Sequence, residues 1–270
     1  MGPVGQTEFT RPIQLRAWDS IILSMGIEQE IREKALELGF DAAGITDASP
    51  IGREHVEQFE IWLRSGYAGP LQYMHHNVEK RFDPAKLLDG ARSVIVVALS
   101  YKPPATATAV GWALPTIPIG RVAQYAQYED YHDFIKPRLR KLADFVKSRM
   151  DGNCRFKICV DSAPLAEKAL AVRAGLGVIG KNHLLIHPQL GPQILLGEVV
   201  TTAVLKPDAP SQGDCGDCDL CLRACPTGAL RPDGFLDARL CTSCLTQYGS
   251  SSGTGDWLFG CDECLLACPH

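Results

Sequence analysis

Two periods alternate along the chain. "EQEIREKALELGF" sets Ile31, Ala35 and Leu38 on one helical face and stops at Gly39. "DAAGITD" then reads as a short strand. "GYAGPLQYMHHNVEKRFDP" is broken by Gly and Pro and reads as a loop with a short helical piece. "SVIVVALSY" is a continuous apolar run rich in Val, the pattern of a buried strand. "PPATATAVGWALPTIPIG" is irregular and turn-rich. From Tyr131 to Met150, Phe134, Leu139, Leu142 and Val146 form an apolar stripe that predicts a helix.

The next stretch, "RFKICVDSAPLAEKALAVRAGLGVIGKN", opens with a strand at "FKICV". Pro164 suits the first turn of a following helix and Gly175 its end, which sets Asp161 at a strand end just ahead of that helix. "GLGVIGKN" is a flexible glycine-bearing loop, and "HLLIH" and "ILLGEVVTTAVL" are two further apolar strands. The pattern predicts a tail over residues 1–27 and an α/β (α+β) domain over 28–205 in which helices cover a sheet. "KPDAPSQGD" is polar and turn-rich, and marks the start of a second domain over 206–270.

Composition narrows the function classes. A formal charge of −4 over 270 residues is not that of a polybasic nucleic-acid surface. No apolar run approaches the ~20 residues of a membrane helix, and the N-terminus lacks the charged start and hydrophobic block of a secretion signal. Gln6 stands where a myristoylation motif wants Ser or Thr. Eleven cysteines, an odd number with no export signal, make disulfides a poor account and imply a reducing cytoplasm.

Nine of those cysteines lie between Cys215 and Cys268. Cys215, Cys218, Cys221 and Cys225 form C-x2-C-x2-C-x3-C-P, the bacterial ferredoxin spacing. In that pattern three close thiolates hold one [4Fe–4S] cluster and the fourth reaches the other. "CDECLLACP" supplies Cys261, Cys264 and Cys268, and "CTSC" supplies Cys241 and Cys244. The pattern assigns Cys215, Cys218, Cys221 and Cys268 to one cluster, and Cys225, Cys241, Cys261 and Cys264 to the second, with Cys244 spare. Structural zinc is the alternative. It leaves two Cys-Pro endings and three cysteines within seven residues unexplained. Cys154 and Cys159 read as buried free thiols. Two clusters make a wire for single electrons, so the upstream domain is where those electrons are used.

"VDSAPLAEKALAVRAGLGVIGKN", taken with the cysteine module, resembles the epoxyqueuosine reductase family. These are cobalamin-dependent iron–sulfur enzymes of tRNA modification, related to reductive dehalogenases. "GYAGPLQYM", "YAQYEDYHDFIKPRLRKL", "CPTGAL" and "FGCDECLLACP" extend the resemblance over roughly residues 28–269. It implies a nitroreductase-like cobalamin-binding domain followed by a ferredoxin-like two-cluster domain, with the corrin between them. It implies Asp161 as the proton donor and Arg81, Asn182 and Leu185 as cobalamin-lining positions, joined by Ser243, Asp262 and Glu263 from the cluster side. The implied reaction is two-electron reduction of the epoxide of epoxyqueuosine in tRNA to queuosine. The implied partners are tRNA and a low-potential electron donor such as a flavodoxin or ferredoxin. Longer members continue into a helical-repeat region that helps bind tRNA, whereas the sequence here stops at His270. Cys244 stands where the family usually has an aromatic, and Gln124 near a frequent Arg.

Two other readings stand beside this one: a cobalamin and iron–sulfur reductase of a small molecule, and a non-catalytic electron carrier. Asp161 favours an enzyme over the carrier. A helix start would stabilise its charged form and burial against a corrin its neutral form, so proton donation near neutral pH requires burial to win. Otherwise Asp161 is an N-cap. Arg81 suits an amide oxygen or a phosphate through its forked donors, or a solvated surface. Lys181 offsets a phosphate or faces water, and Asp262 and Glu263 are alternatively exposed loop acids. None of the seven histidines has metal-ligand spacing, and "GLGVIG" follows a helix, which weakens a dinucleotide reading.

Overall fold

The structure, a computed structural model, describes residues 26–103, 120–150, 152–249 and 252–270. The expected tail up to position 25 and the irregular segment over 104–119 lie outside the described residues. In chain order the elements are α1 (Ile27–Glu37), β1 (Ala42–Asp47), α2 (Arg53–Arg64), α3 (Val78–Phe82), β2 (Ser93–Ser100) and β3 (Arg121–Val122). Then come α4 (Tyr131–Arg149), β4 (Phe156–Cys159), α5 (Glu167–Arg173), β5 (Val178–Ile179), β6 (Leu185–Ile186) and β7 (Ile194–Thr201). The cysteine-rich part holds α6 (Leu220–Ala224), α7 (Thr242–Gln247), β8 (Trp257–Phe259) and α8 (Glu263–Leu266).

The main sheet runs β1-β2-β7-β4, and each neighbouring pair is antiparallel. Side chains alternate across it with period two. Ile95 and Val97 of β2 and Val199 of β7 join Ile31 and Ala35 of α1 and Ile135, Leu139, Leu142 and Val146 of α4 in one buried cluster. Val94, Val96 and Val200 join Leu170 and Ala171 of α5 and Phe82 of α3 in another. Helices therefore cover both faces, which is why the β2 sequence is apolar without interruption. An all-antiparallel sheet with helices on it is the α+β form of the expected class.

Three local expectations change. Pro164 does not open a helix: α5 begins at Glu167 with Ala166 as its N-cap. Tight turns close first, with the Ser162 amide on the Val160 carbonyl and the Leu165 amide on that of Ala163, and the Ala166 amide is tied to the Arg81 carbonyl. "HLLIH" shrinks to the two residues of β6, because its strand partner among the described residues is the equally short β5 and His187 already bridges to Gly191. Helix α2 is an addition. Its Val56 and Phe59, three apart, pack on the second cluster, a helical spacing legible in "REHVEQFEIWLR". Gly175 does follow α5, at φ 77°.

The 206–214 segment is pinned to the sheet domain. Asp208 pairs with Arg32 and accepts the Ile45 amide at 2.7 Å, and the Ser211 amide reaches the Val172 carbonyl at 2.9 Å. The cysteine-rich part is likewise tied back. Strand β8 pairs in parallel with β3, the Trp62 indole of α2 donates to the Leu236 carbonyl at 2.6 Å, and the Ala238 amide donates to the Tyr67 carbonyl at 2.8 Å. Among the described residues no helix is long and apolar enough to cross a membrane.

Candidate active site

Strand β4 ends at Cys159, and two residues later the backbone turns into the left-handed region, with Asp161 at φ 37°. The Asp161 side chain is 47% exposed and caps no helix, so the N-cap of the sequence reading does not describe it. It is held instead by the start of α4. The Tyr131 hydroxyl donates to one carboxylate oxygen, and His132 Nε2 lies 2.8 Å from the other. Asp130 holds His132 Nδ1 at 2.8 Å on the far side. Burial pulls the His132 imidazole down, but its bonds to Asp161 and Asp130 outweigh that and leave it above its ordinary value. Burial and the bond to Asp161 push the Tyr131 phenol far up, so it stays a donor.

Asp161 opens onto a cleft of about 180 Å³. Tyr131, Glu167 and Lys168 share its polar side, and Leu184, Leu185, Pro192, Ile194, Leu195 and Leu196 make an apolar wall. Glu167 is pushed up to about 7, first by burial and then by the Asp161 charge. Lys168 Nζ donates to the His183 carbonyl at 2.6 Å. Burial, then Lys168, brings the His183 imidazole down to about 4, so it is neutral near pH 7.

The wall that carries Leu185 is also the wall of a second cavity. That cavity, of about 20 Å³, is lined by Cys215, Cys218, Cys221 and Cys268 with Lys181, Asn182, Ile186, Pro269 and His270. The β5–β6 hairpin thus has the cleft on one side and four thiols on the other. A Cβ on Gly180 would sit 2.6 Å from Ile186 Cδ1, 2.8 Å from Asn182 Oδ1 and 3.4 Å from Cys215 Sγ, so a side chain there would have to push aside the ends of Ile186 and Asn182. Lys181 is exposed, and its Nζ also donates to the carbonyls of Gly216 and Cys218 at 2.7 and 2.9 Å. Its neighbour Asn182, 5% exposed, donates to the Cys264 carbonyl at 3.4 Å and accepts the Leu184 amide at 3.2 Å. Two adjacent residues therefore grip two different cysteine loops.

Burial pushes the Cys264 thiol up to about 12, helped by the nearby thiols of Cys261, Cys241 and Cys225. Cys221 of the first expected set also raises it, so the thiols near Cys264 come from both sets. Among the described residues no three Cys, His, Asp or Glu side chains converge on a single ion position. Cys244 is buried on α7, Cys159 is buried in the sheet, and Cys154 is only partly covered.

The remaining expected residues divide. Arg81 is half-buried, stacks over Phe59 at 5.6 Å, and lies near Tyr73 and Glu167 with its Nε unpaired. Asp262 is buried and accepts the Gln124 amide at 2.7 Å, while Glu263 pairs with Arg121. These two acids are ties between the cysteine module and β3, not exposed loop acids, and neither lines the cleft or the thiol cavity. Ser243 is on α7 and receives a 3.4 Å bond from Gln247. Sequence reasoning left Tyr131, Glu167 and Glu198 without roles and took His132 only as a rejected ligand. The one available signal was position: Glu167 closes the "DSAPLAE" segment that Asp161 opens.

The model described as "Epoxyqueuosine reductase QueG, DUF1730" matches residues 81–162, and that of a "4Fe-4S double cluster binding domain" matches residues 214–270. An epoxyqueuosine reductase of Gloeobacter violaceus is 38% identical over 248 residues, 89% of this chain and 75% of its own length. This chain belongs to the epoxyqueuosine reductase family. A Vibrio cholerae epoxyqueuosine reductase is 35% identical, over 90% of this chain, and the chain spans 66% of that relative's length. Among solved structures, the family member from Streptococcus thermophilus superposes with TM-score 0.79 at 31% identity, over 91% of this chain and 66% of that one. A family member with an epoxyqueuosine-modified tRNA stem-loop gives 0.77 at 34% identity, over 90% and 64%. A Bacillus subtilis member, whose catalytic aspartate loop is swung out of the active site, gives 0.78 at 32% identity, over 90% and 64%.

Proposed function

We propose that this protein is an oxidoreductase that reduces the epoxide of epoxyqueuosine in tRNA, with two [4Fe–4S] clusters feeding electrons to cobalamin beside Asp161. The observation that carries the reading is the shared β5–β6 wall, with the Asp161 cleft on one side and a four-thiol cavity on the other. The family supports the substrate, since a relative is solved with an epoxyqueuosine-modified stem-loop. It also supports a catalytic role for the loop aspartate.

The residues fit the cofactors. Two groups of four cysteines match two clusters, in a segment that matches a double-cluster family. The cleft offers an apolar wall at Leu185 for a corrin, and Arg81, outside its lining but near Glu167, keeps a buried unpaired Nε that suits an amide or phosphate oxygen. Cobalamin, when bound, supplies two-electron chemistry at a single centre. Opening an epoxide leaves an oxyanion, which needs a proton as it forms. Covered by a corrin in the cleft, the exposed Asp161 carboxyl would favour its neutral form and supply that proton. The carboxylate left behind is already solvated by the Tyr131 hydroxyl and by His132, so no new reorganisation is required. Electrons enter from a low-potential donor such as a flavodoxin or ferredoxin.

The test is anaerobic reconstitution with iron, sulfide and cobalamin, followed by nucleoside analysis of epoxyqueuosine-bearing tRNA. About eight irons per chain and conversion to queuosine are expected. Fully loaded, reduced protein that yields no queuosine would sink the reading.

A further inference from the structure

Behind the cleft, Glu198 sits on the central strand β7 with no exposed surface, and neither of its carboxyl oxygens has a partner. A buried bare carboxylate is strongly unfavourable. Its register partners across the sheet are Val96 and Cys159, neither of which neutralises it. The group that faces it is the carboxyl of Glu167, at hydrogen-bonding range, from the first turn of α5. As two carboxylates this pair has no donor between its oxygens. One proton supplies the donor, and the pair then carries a single charge. Glu167 also has the Asp161 backbone amide directed at its carboxyl. Asp161 is the residue whose φ is 37°, and it leaves the sheet two residues beyond Cys159.

We propose that Glu167 and Glu198 form a proton-sharing pair that fixes the Asp161 turn, which makes both glutamates positioning residues for the reaction. With the proton present, Glu198 donates to Glu167, and Glu167 stays over the sheet to accept the Asp161 amide. With the proton gone, two adjacent buried charges repel. Glu167 is the one able to move, being on the first turn of a seven-residue helix. Its departure releases the turn. The other titratable or charged groups facing the pair are Asp161, Cys159, Lys168 and Arg81. Burial pushes Cys159 up to about 12, so the thiol does not compete for the proton near neutral pH. Burial raises both glutamates as well, Glu198 the more strongly. The inference rests on the proposed reaction only in calling these residues positioning groups for it.

Infrared spectroscopy of the wild-type protein at pH 7 tests the pair without substrate. A protonated carboxyl carbonyl band is expected, shifted in D₂O, retained in Asp161→Asn and lost in Glu198→Gln. No such band, or a band unchanged in Glu198→Gln, overturns the proposal. The second readout is the pH profile of queuosine formation. Wild-type kcat should fall about tenfold per pH unit past the pair's ionisation. Glu198→Gln has an amide that donates to Glu167 and cannot ionise. Its ratio of kcat at pH 9 to kcat at pH 7 should exceed the wild-type ratio at least tenfold, and an unchanged ratio counts against the pair. If Glu198→Gln does not fold, the wild-type infrared titration and Glu167→Gln give the same decision. A band that behaves as expected in a protein that makes no queuosine would sink the proposed reaction and leave the pair standing.

Discussion

The sheet domain and the cysteine module hold their shapes by different means. Strands β2 and β7 each run eight residues and are apolar on both faces, packed beneath α1, α4 and α5. The helices of the module have five, six and four residues, and its strand has three. Helices that short are not stable by themselves. The larger residues buried in the module, such as Leu230, Trp257 and Leu265, are scattered among thiols. One region is organised by hydrophobic area; the other is held by its ties to the first and, in the proposed reading, by the clusters its thiols would bind. The contrast explains why Lys181 and Asn182, on the sheet side, reach into both cysteine loops.

The largest expected effect that would break this contrast is metal removal. Anaerobic chelation of iron should collapse hydrogen-exchange protection across residues 215–268 while β2 and β7 keep theirs. Equal loss in both regions would show that the sheet domain is not self-sufficient. Next, Leu139→Ala should cost the sheet domain about 2–5 kcal/mol in denaturant unfolding, because Leu139 is fully buried between α4 and the sheet, while leaving iron content unchanged. Lys181→Ala removes two carbonyl contacts at an exposed ammonium. It should cost about 1 kcal/mol and speed cluster loss, measured as bleaching of the iron–sulfur absorbance.

The smallest effect concerns His132. Its imidazole is raised in the folded state, so the contribution of its contact with Asp161 is present in full below the unfolded value of about 6.5. That contribution is lost as pH rises through the folded value. His132→Gln should therefore lower stability slightly at pH 5.5 and hardly at all at pH 8, and thermal melts at the two values would show the difference. An equal loss at both would mean that the contact is held by packing rather than charge.

Much of this was legible in sequence because periodicity and spacing are strong signals. The β2 run, the α4 stripe and the C-x2-C-x2-C-x3-C-P pattern each carry their own register. Asp161 was found through the motif around it, but its environment was not. Its exposure depends on the turns over 160–166, and those are set by the contact of Ala166 with Arg81, which is 85 residues away in sequence. Glu198 looked like one polar interruption in an apolar strand. Its isolation, and its meeting with Glu167, appear only when α5 is laid across β7. Asp262 and Glu263 likewise resembled loop acids until β3 was seen to pair with β8 beside them.

The central claim is that electrons arriving through the thiol-lined module would be used in the cleft across the β5–β6 wall, with Asp161 supplying the proton. Single-turnover conversion of epoxyqueuosine-bearing tRNA tests it most directly, using reduced, cobalamin-loaded wild type and Asp161→Asn with equal iron content. The account predicts queuosine from the wild type and a rate at least about 100-fold lower from Asp161→Asn, with the iron–sulfur spectrum unchanged. Conversion by Asp161→Asn at the wild-type rate would contradict it.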